Sequence, residues 1–185
     1  MEDSNLTVGE ISSLVGVPKK EINKYIESKV VTAQKPNGQY LLPKQAVLFF
    51  AVICKDDINI LPHSSKKEIW NKLLDVIDTS TGVEVQGRRI HFDPRIKDLW
   101  KAAKRYINFR SQFLVENPEI LGGTPVIKGT RITAYSVRGW LKGDETIDDL
   151  SKEYPDIPPE AFEVAEFYAK SNPLYLYGRR KGLPR

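Results

Sequence analysis

Val8, Ile11, Leu14 and Val15 fall three and four residues apart, the spacing that gathers side chains on one side of an α-helix. Thr7 precedes them and Glu10 follows three residues later. This is a capping box, in which each side chain satisfies the other's free backbone donor. Gly16 permits a tight turn, and Pro18 suits the first position of a second helix with Ile22, Tyr25 and Ile26 on its buried side. Asn37-Gly38 then lies between extendable residues, a strong signal for a two-residue hairpin, whose turn positions both need positive φ. Pro43 opens an apolar helix through KQAVLFFAVI. Helix, turn, helix, hairpin, helix is the order of a winged helix-turn-helix, placed at residues 1–54.

Residues 55–115 read as a connector of helices and a β-hairpin. Ile69, Trp70, Leu73, Leu74 and Ile77 make a broad apolar helical face, and VEVQGRRIHF reads as two short strands around Gly87. Asp93-Pro94 starts a helix with Ile96, Leu99, Trp100, Ala103 and Ile107 inward and Lys97, Lys101, Lys104 and Arg105 on its other side. That helix is expected to join two domains or to build a dimer interface. A further domain, 116–172, starts near Asn117-Pro118. Its GGTPVIKGTRIT predicts two small strands around Lys128-Gly129, followed by helices at about 133–142, 146–153 and 159–170. Gly143-Asp144 and the prolines of YPDIPP separate these helices. The tail, 173–185, has no amphipathic period and reads as extended. The expected fold class is mainly α, with short β-strands.

Composition narrows the function. With 41% hydrophobic and 10% aromatic residues the 185-residue chain can build packed cores. No apolar run is long enough to span a bilayer, and the polar start MEDSNLTVGE resembles neither a signal nor a transit peptide, so a cytoplasmic location is expected. Cys54 is the single cysteine, which excludes an intramolecular disulfide framework and a cysteine zinc cluster. Its place after AVLFFAVI predicts a small buried hydrophobe. The net charge of +4 is unevenly spread. Residues 55–115 carry twelve Lys/Arg against eight Asp/Glu, residues 116–173 six against eleven, and the last twelve residues four against none. More than one charged partner surface is a natural consequence.

Catalytic and metal chemistry find little support. His63 and His91 are far apart in sequence with no Cys or Ser constellation beside them, and GGTPVIKGT lacks the Gly-Lys-Ser/Thr ending of a phosphate loop. Asp144, Glu145, Asp148 and Asp149 are accounted for by the dipole of a helix start, so no metal, no cofactor and no enzymatic activity is expected. DNA recognition suits the first segment better. Lys19, Lys20, Asn23 and Lys24 lie on or beside the outward side of the second helix, where lysine meets phosphate or guanine and asparagine pairs with adenine. Lys35, Asn37 and Gln39 at the hairpin tip would reach the adjacent backbone or minor groove.

The stretch TVGEISSLVGVPKKEINKYIESKVV with NGQYLLPKQAV resembles the MerR-type winged helix-turn-helix over roughly 45 residues. Asn23 stands where that family usually carries arginine. NPEILGGTPVIKGTRIT with LKGDETIDDLSKEYPDIPPEAFEVAEFYA resembles the bacterial domain of unknown function numbered four hundred thirty-three. The run at 123–132 and the later Tyr154-Pro155-Asp156 carry that likeness. It implies a homeodomain-like helical unit whose short strand pair aids dimerisation. It also implies kinship with VapB-type antitoxins, whose partners are PIN-domain ribonuclease toxins. Taken together, these resemblances imply an antitoxin that binds operator double-stranded DNA as a homodimer or in a higher hetero-oligomer with its toxin. In the tail, Leu174, Tyr175, Leu176 and Tyr177 would anchor in an apolar groove while Arg179 or Arg180 enters the toxin's acidic pocket. Two rival readings are a stand-alone MerR-like regulator that senses a small molecule and has no toxin, and a nuclease-like enzyme.

Overall fold

The computed structural model describes residues 5–54, 60–79, 82–116 and 123–174 and divides the chain into two compact units, Met1–Phe113 and Leu114–Arg185. The described residues are mainly helical with short antiparallel strands.

The first unit opens with β1 (Asn5–Thr7), which pairs with β2 (Leu41–Pro43) in the register Leu6 opposite Leu42. Thr7 ends the strand and caps α1 (Val8–Val15) with the full capping box. Gly16, at φ 75°, closes α1 in the left-handed conformation that glycine adopts without penalty. Pro18 precedes α2 (Lys19–Glu27). Both helices lay one apolar side down: Ile11, Val15, Ile22 and Ile26 are buried.

At the centre stands α3 (Gln45–Ile53), in which every residue from Ala46 to Ile53 is buried. A helix apolar all round must be covered on several sides, and α3 packs against α1, α4 (His63–Leu74) and α5 (Pro94–Phe113). Phe49 meets Tyr25, Phe50 and Trp70 edge-on, with ring centroids 5.1–5.6 Å apart. Each fully buried ring of this kind contributes about 1.5–3 kcal/mol. The Trp70 indole N–H donates to Thr32 Oγ1 at 3.0 Å, so its polar edge is satisfied.

Three local expectations need correcting here. Cys54 is exposed, because α3 ends at Ile53 and the cysteine follows as its cap. Ile77 is 86% exposed and Val76 is buried instead, because α4 stops at Leu74 and the helical period stops with it. On α5 the inward line runs Ile96, Trp100, Ala103 and Tyr106, with Ile107 only half-buried. Between α4 and α5, β3 (Val83–Val85) and β4 (Arg88–Ile90) form the expected hairpin around Gly87.

In the second unit β5 (Leu114–Val115) pairs with β6 (Val126–Ile127). The expected second strand after Lys128-Gly129 contributes a single bridge, Val126 to Thr133. The reason is local: Thr130 Oγ1 donates to the Ile127 carbonyl at 2.9 Å and accepts from the Ile132 N–H at 3.0 Å, turning the chain before a ladder forms. Three helices follow: α6 (Ala134–Lys142), α7 (Ile147–Glu153) and α8 (Pro159–Ser171). Thr133 and Thr146 cap the first two, and Pro159 sits in the first turn of the third. Asp149 completes the capping box of α7. The Thr146 side-chain and backbone hydrogen bonds, with Lys152 nearby, hold its carboxyl below the usual range. Val137, Leu150, Phe162 and Ala165 fill the core between the helices, and Trp140 stacks on Tyr154 at 5.9 Å.

Candidate nucleic-acid interface

α2 is the element on which the DNA reading turns. Its amphipathicity follows from Ile22 and Ile26, four residues apart and both buried, which leave the remaining arc to polar side chains. Lys20 and Lys24 are exposed, while Lys19 and Asn23 are half-buried. The structure thus brings the four predicted residues onto one short helix, at unequal depths. Lys24 Nζ donates to Glu21 Oε1 at 2.7 Å, an exposed pair that an incoming phosphate would compete with. At the C-terminal end Lys29 adopts φ 57°, and the N–H groups of Val30 and Val31 return to the Tyr25 carbonyl, closing the helix without a glycine.

The segment after α2 departs from the predicted tight hairpin. Gln34 and Leu41 exchange backbone hydrogen bonds of 2.9 and 2.8 Å, and residues 35–40 loop out between them. Pro36–Gly38 forms a single 3-10 turn, closed by the Gln39 N–H on the Pro36 carbonyl. Pro36 lacks an N–H for a ladder and pre-sets a turn instead. Gln39 is exposed. Lys35 is exposed as well, but its ammonium folds back over the Tyr40 ring, 4.5 Å from the centroid. The side chain of Asn37 lies outside the described residues.

The most deeply buried charges of the unit were not anticipated. Glu10, fully buried, accepts from the Thr7 N–H at 2.7 Å, the Tyr106 hydroxyl at 2.6 Å and the Arg110 guanidinium at 2.9 Å. Arg110 also donates to the Asn5 carbonyl at 2.7 Å. Burial works against the guanidinium charge, but Glu10 and Tyr106 outweigh it and raise the Arg110 pKa above its ordinary value. This network ties the start of α1 to α5. Sequence spacing offers no signal for it, because the partners are 96 and 100 residues apart.

Elsewhere, Leu174 is 59% exposed, while Tyr175, Leu176, Tyr177, Arg179 and Arg180 lie outside the described residues. Arg131 is exposed. His63 and His91 are exposed on α4 and after β4. Among the described residues no group of three His, Cys, Asp or Glu side chains is placed to hold a metal ion, and no helix is long and apolar enough to cross a membrane.

Comparison with known proteins bears on the second unit. Residues 114–169 match the family model described as "Protein of unknown function (DUF433)", the domain anticipated from the 123–132 run. The chain is also similar to "Uncharacterized protein y4eO" of Sinorhizobium fredii (strain NBRC 101917 / NGR234), with 34% identity over 70 residues. That match takes in 38% of this chain and 31% of the relative, so it spans about a third of the relative's length. Among solved structures, the crystal structure of Rv2018 from Mycobacterium tuberculosis aligns with 86% of this chain and 96% of its own, at 16% identity and a TM-score of 0.39.

Proposed function

We propose that this chain is a DNA-binding antitoxin of a type II toxin-antitoxin system. It binds its own operator through a winged helix-turn-helix in the first unit, represses the operon and inhibits a PIN-domain ribonuclease toxin; it performs no catalysis itself. The observation that carries the reading is the sequence α1, Gly16 turn, α2, with Ile22 and Ile26 held in the core and Lys20 and Lys24 turned to solvent. A short helix presented in this way suits the major groove. The resemblance of the second unit to a domain found in VapB-type antitoxins supports the toxin partner. Homodimerisation would give two recognition helices the spacing of two half-sites.

The rival is a MerR-like regulator without a toxin. Co-expression with the neighbouring gene, followed by affinity purification, separates the two. The antitoxin reading expects a stable complex whose ribonuclease activity appears only when this chain is removed. Binding of upstream DNA with no co-purifying neighbour would favour the regulator.

A further inference from the structure

Among the described helices of the first unit, the one richest in Lys and Arg is not the one that suggested DNA binding. Over Pro94–Phe113, α5 carries Arg95, Lys97, Lys101, Lys104, Arg105 and Arg110 against a single carboxylate, Asp98. Arg110 is spent on Glu10. The other five cations are exposed. At 100° per residue Lys97, Lys101, Lys104 and Asn108 fall within an arc of roughly 60°, and the row is about 16 Å long. Among the described residues no carboxylate stands within ion-pair distance of Lys97, Lys101 or Lys104. In α2, by contrast, Lys24 is already paired with Glu21.

Aromatic rings fix part of this surface. Lys104 Nζ lies 5.7 Å and Lys44 Nζ 5.9 Å from the centroid of the Trp100 ring, so two cations from different elements converge on one buried indole. Lys104 is exposed and Lys44 half-buried beside it. Arg105 rests over Phe109 at 5.0 Å. A ring contact leaves the Lys104 charge uncompensated, whereas a carboxylate would offset it, so Lys104 keeps its attraction for a polyanion.

We infer that the outward row of α5, with Lys44 beside it, is a second contact for double-stranded DNA that grips the phosphate backbone without reading sequence. The inference rests on the DNA-binding reading of the first unit and adds a second surface to it. Phosphates on one strand recur every 3.4 Å or so along the duplex axis, so a row about 16 Å long can address several of them. An acidic protein surface is the competing occupant. The regular spacing of the row and its place in the same unit as α2 favour the duplex.

The test uses the full chain with Lys97→Gln, Lys101→Gln and Lys104→Gln, substitutions that keep helix propensity. Affinity for the upstream duplex and for an unrelated duplex of equal length is measured across a salt series. The inference expects the slope of log affinity against log salt to become shallower by about 2.7 units on both duplexes, three phosphate contacts at about 0.9 each. It also expects the preference for the upstream duplex to be retained. Lys67→Gln with Lys72→Gln, the same kind of exposed lysine on α4, is expected to leave the slope unchanged. An unchanged slope in the α5 variant overturns the inference while leaving the α2 reading intact. An equal effect from the α4 pair would show bulk charge at work and also overturns it. So does a change in sedimentation with no change in slope, which would assign the row to a protein partner. Failure of the wild-type chain to bind either duplex at about 50 mM salt would remove both readings together.

Discussion

Glu10 occupies the third position of α1 with its carboxylate fully withdrawn from solvent, and its stability depends on partners from the far end of α5. Removing one member of a buried ion pair strands the other, at a typical cost of about 3–5 kcal/mol. Arg110→Met is therefore expected to destabilise the first unit by that amount. Tyr106→Phe leaves the guanidinium in place and should cost about 1.5–3 kcal/mol, the range for a hydrogen bond to a charged group. Urea unfolding of the two variants checks this order; an Arg110→Met loss no larger than that of Tyr106→Phe would show that Glu10 does not depend on the ion pair. The capping half of this arrangement was legible in sequence, because Thr7 and Glu10 are neighbours in the chain. The ion pair was not, since only tertiary packing brings α5 to β1. Exposure of Cys54 and Ile77 escaped for a related reason: each lies just past a helix end, where the periodic pattern no longer dictates the side.

Elements with strong punctuation were the most legible. The helices expected at about 133–142, 146–153 and 159–170 lie at Ala134–Lys142, Ile147–Glu153 and Pro159–Ser171, because Thr133, Thr146 and the prolines of YPDIPP act locally. The turns were harder. The hairpin expected around Gly87 forms with a two-residue turn at Gln86-Gly87, φ 50° and 72°, closed by cross-strand pairing of Val85 with Arg88, whereas the tight turn expected at Asn37-Gly38 is replaced by a longer loop. Glutamine is a poor sequence signal for left-handed backbone, and here its side chain accepts from Ser65 Oγ at 3.2 Å. Gly87→Ala should cost about 1–2 kcal/mol from backbone conformation alone, since nothing stands near an added methyl. Gly82→Ala should cost distinctly more, because its φ is 79° and a Cβ there would run into the Ile90 carbonyl oxygen. Thermal melts of both variants measure the difference, and equal losses would contradict the close approach at Gly82.

Across the whole molecule, charge is divided by sequence: residues 55–115 are basic, residues 116–173 acidic, and the last twelve basic again. Under the proposed function, holding DNA with one part and a toxin with another would make use of such a division. The tail is expected to act on the toxin. Truncation after Asn172, and separately Arg179→Ala with Arg180→Ala, should leave operator binding intact but greatly reduce protection of cells expressing the toxin. Full protection by the truncated chain would move toxin binding onto the folded second unit. Whether α2 reads an operator is measured by fluorescence anisotropy on a duplex from upstream of the gene. The wild-type chain is expected to prefer this duplex to an unrelated one. A variant with Lys19, Lys20, Asn23 and Lys24 all changed to alanine is expected to fold but lose that preference, with Asn23→Ala alone costing roughly 1–3 kcal/mol of it. A folded quadruple variant that binds the upstream duplex as tightly and as selectively as the wild type would contradict it.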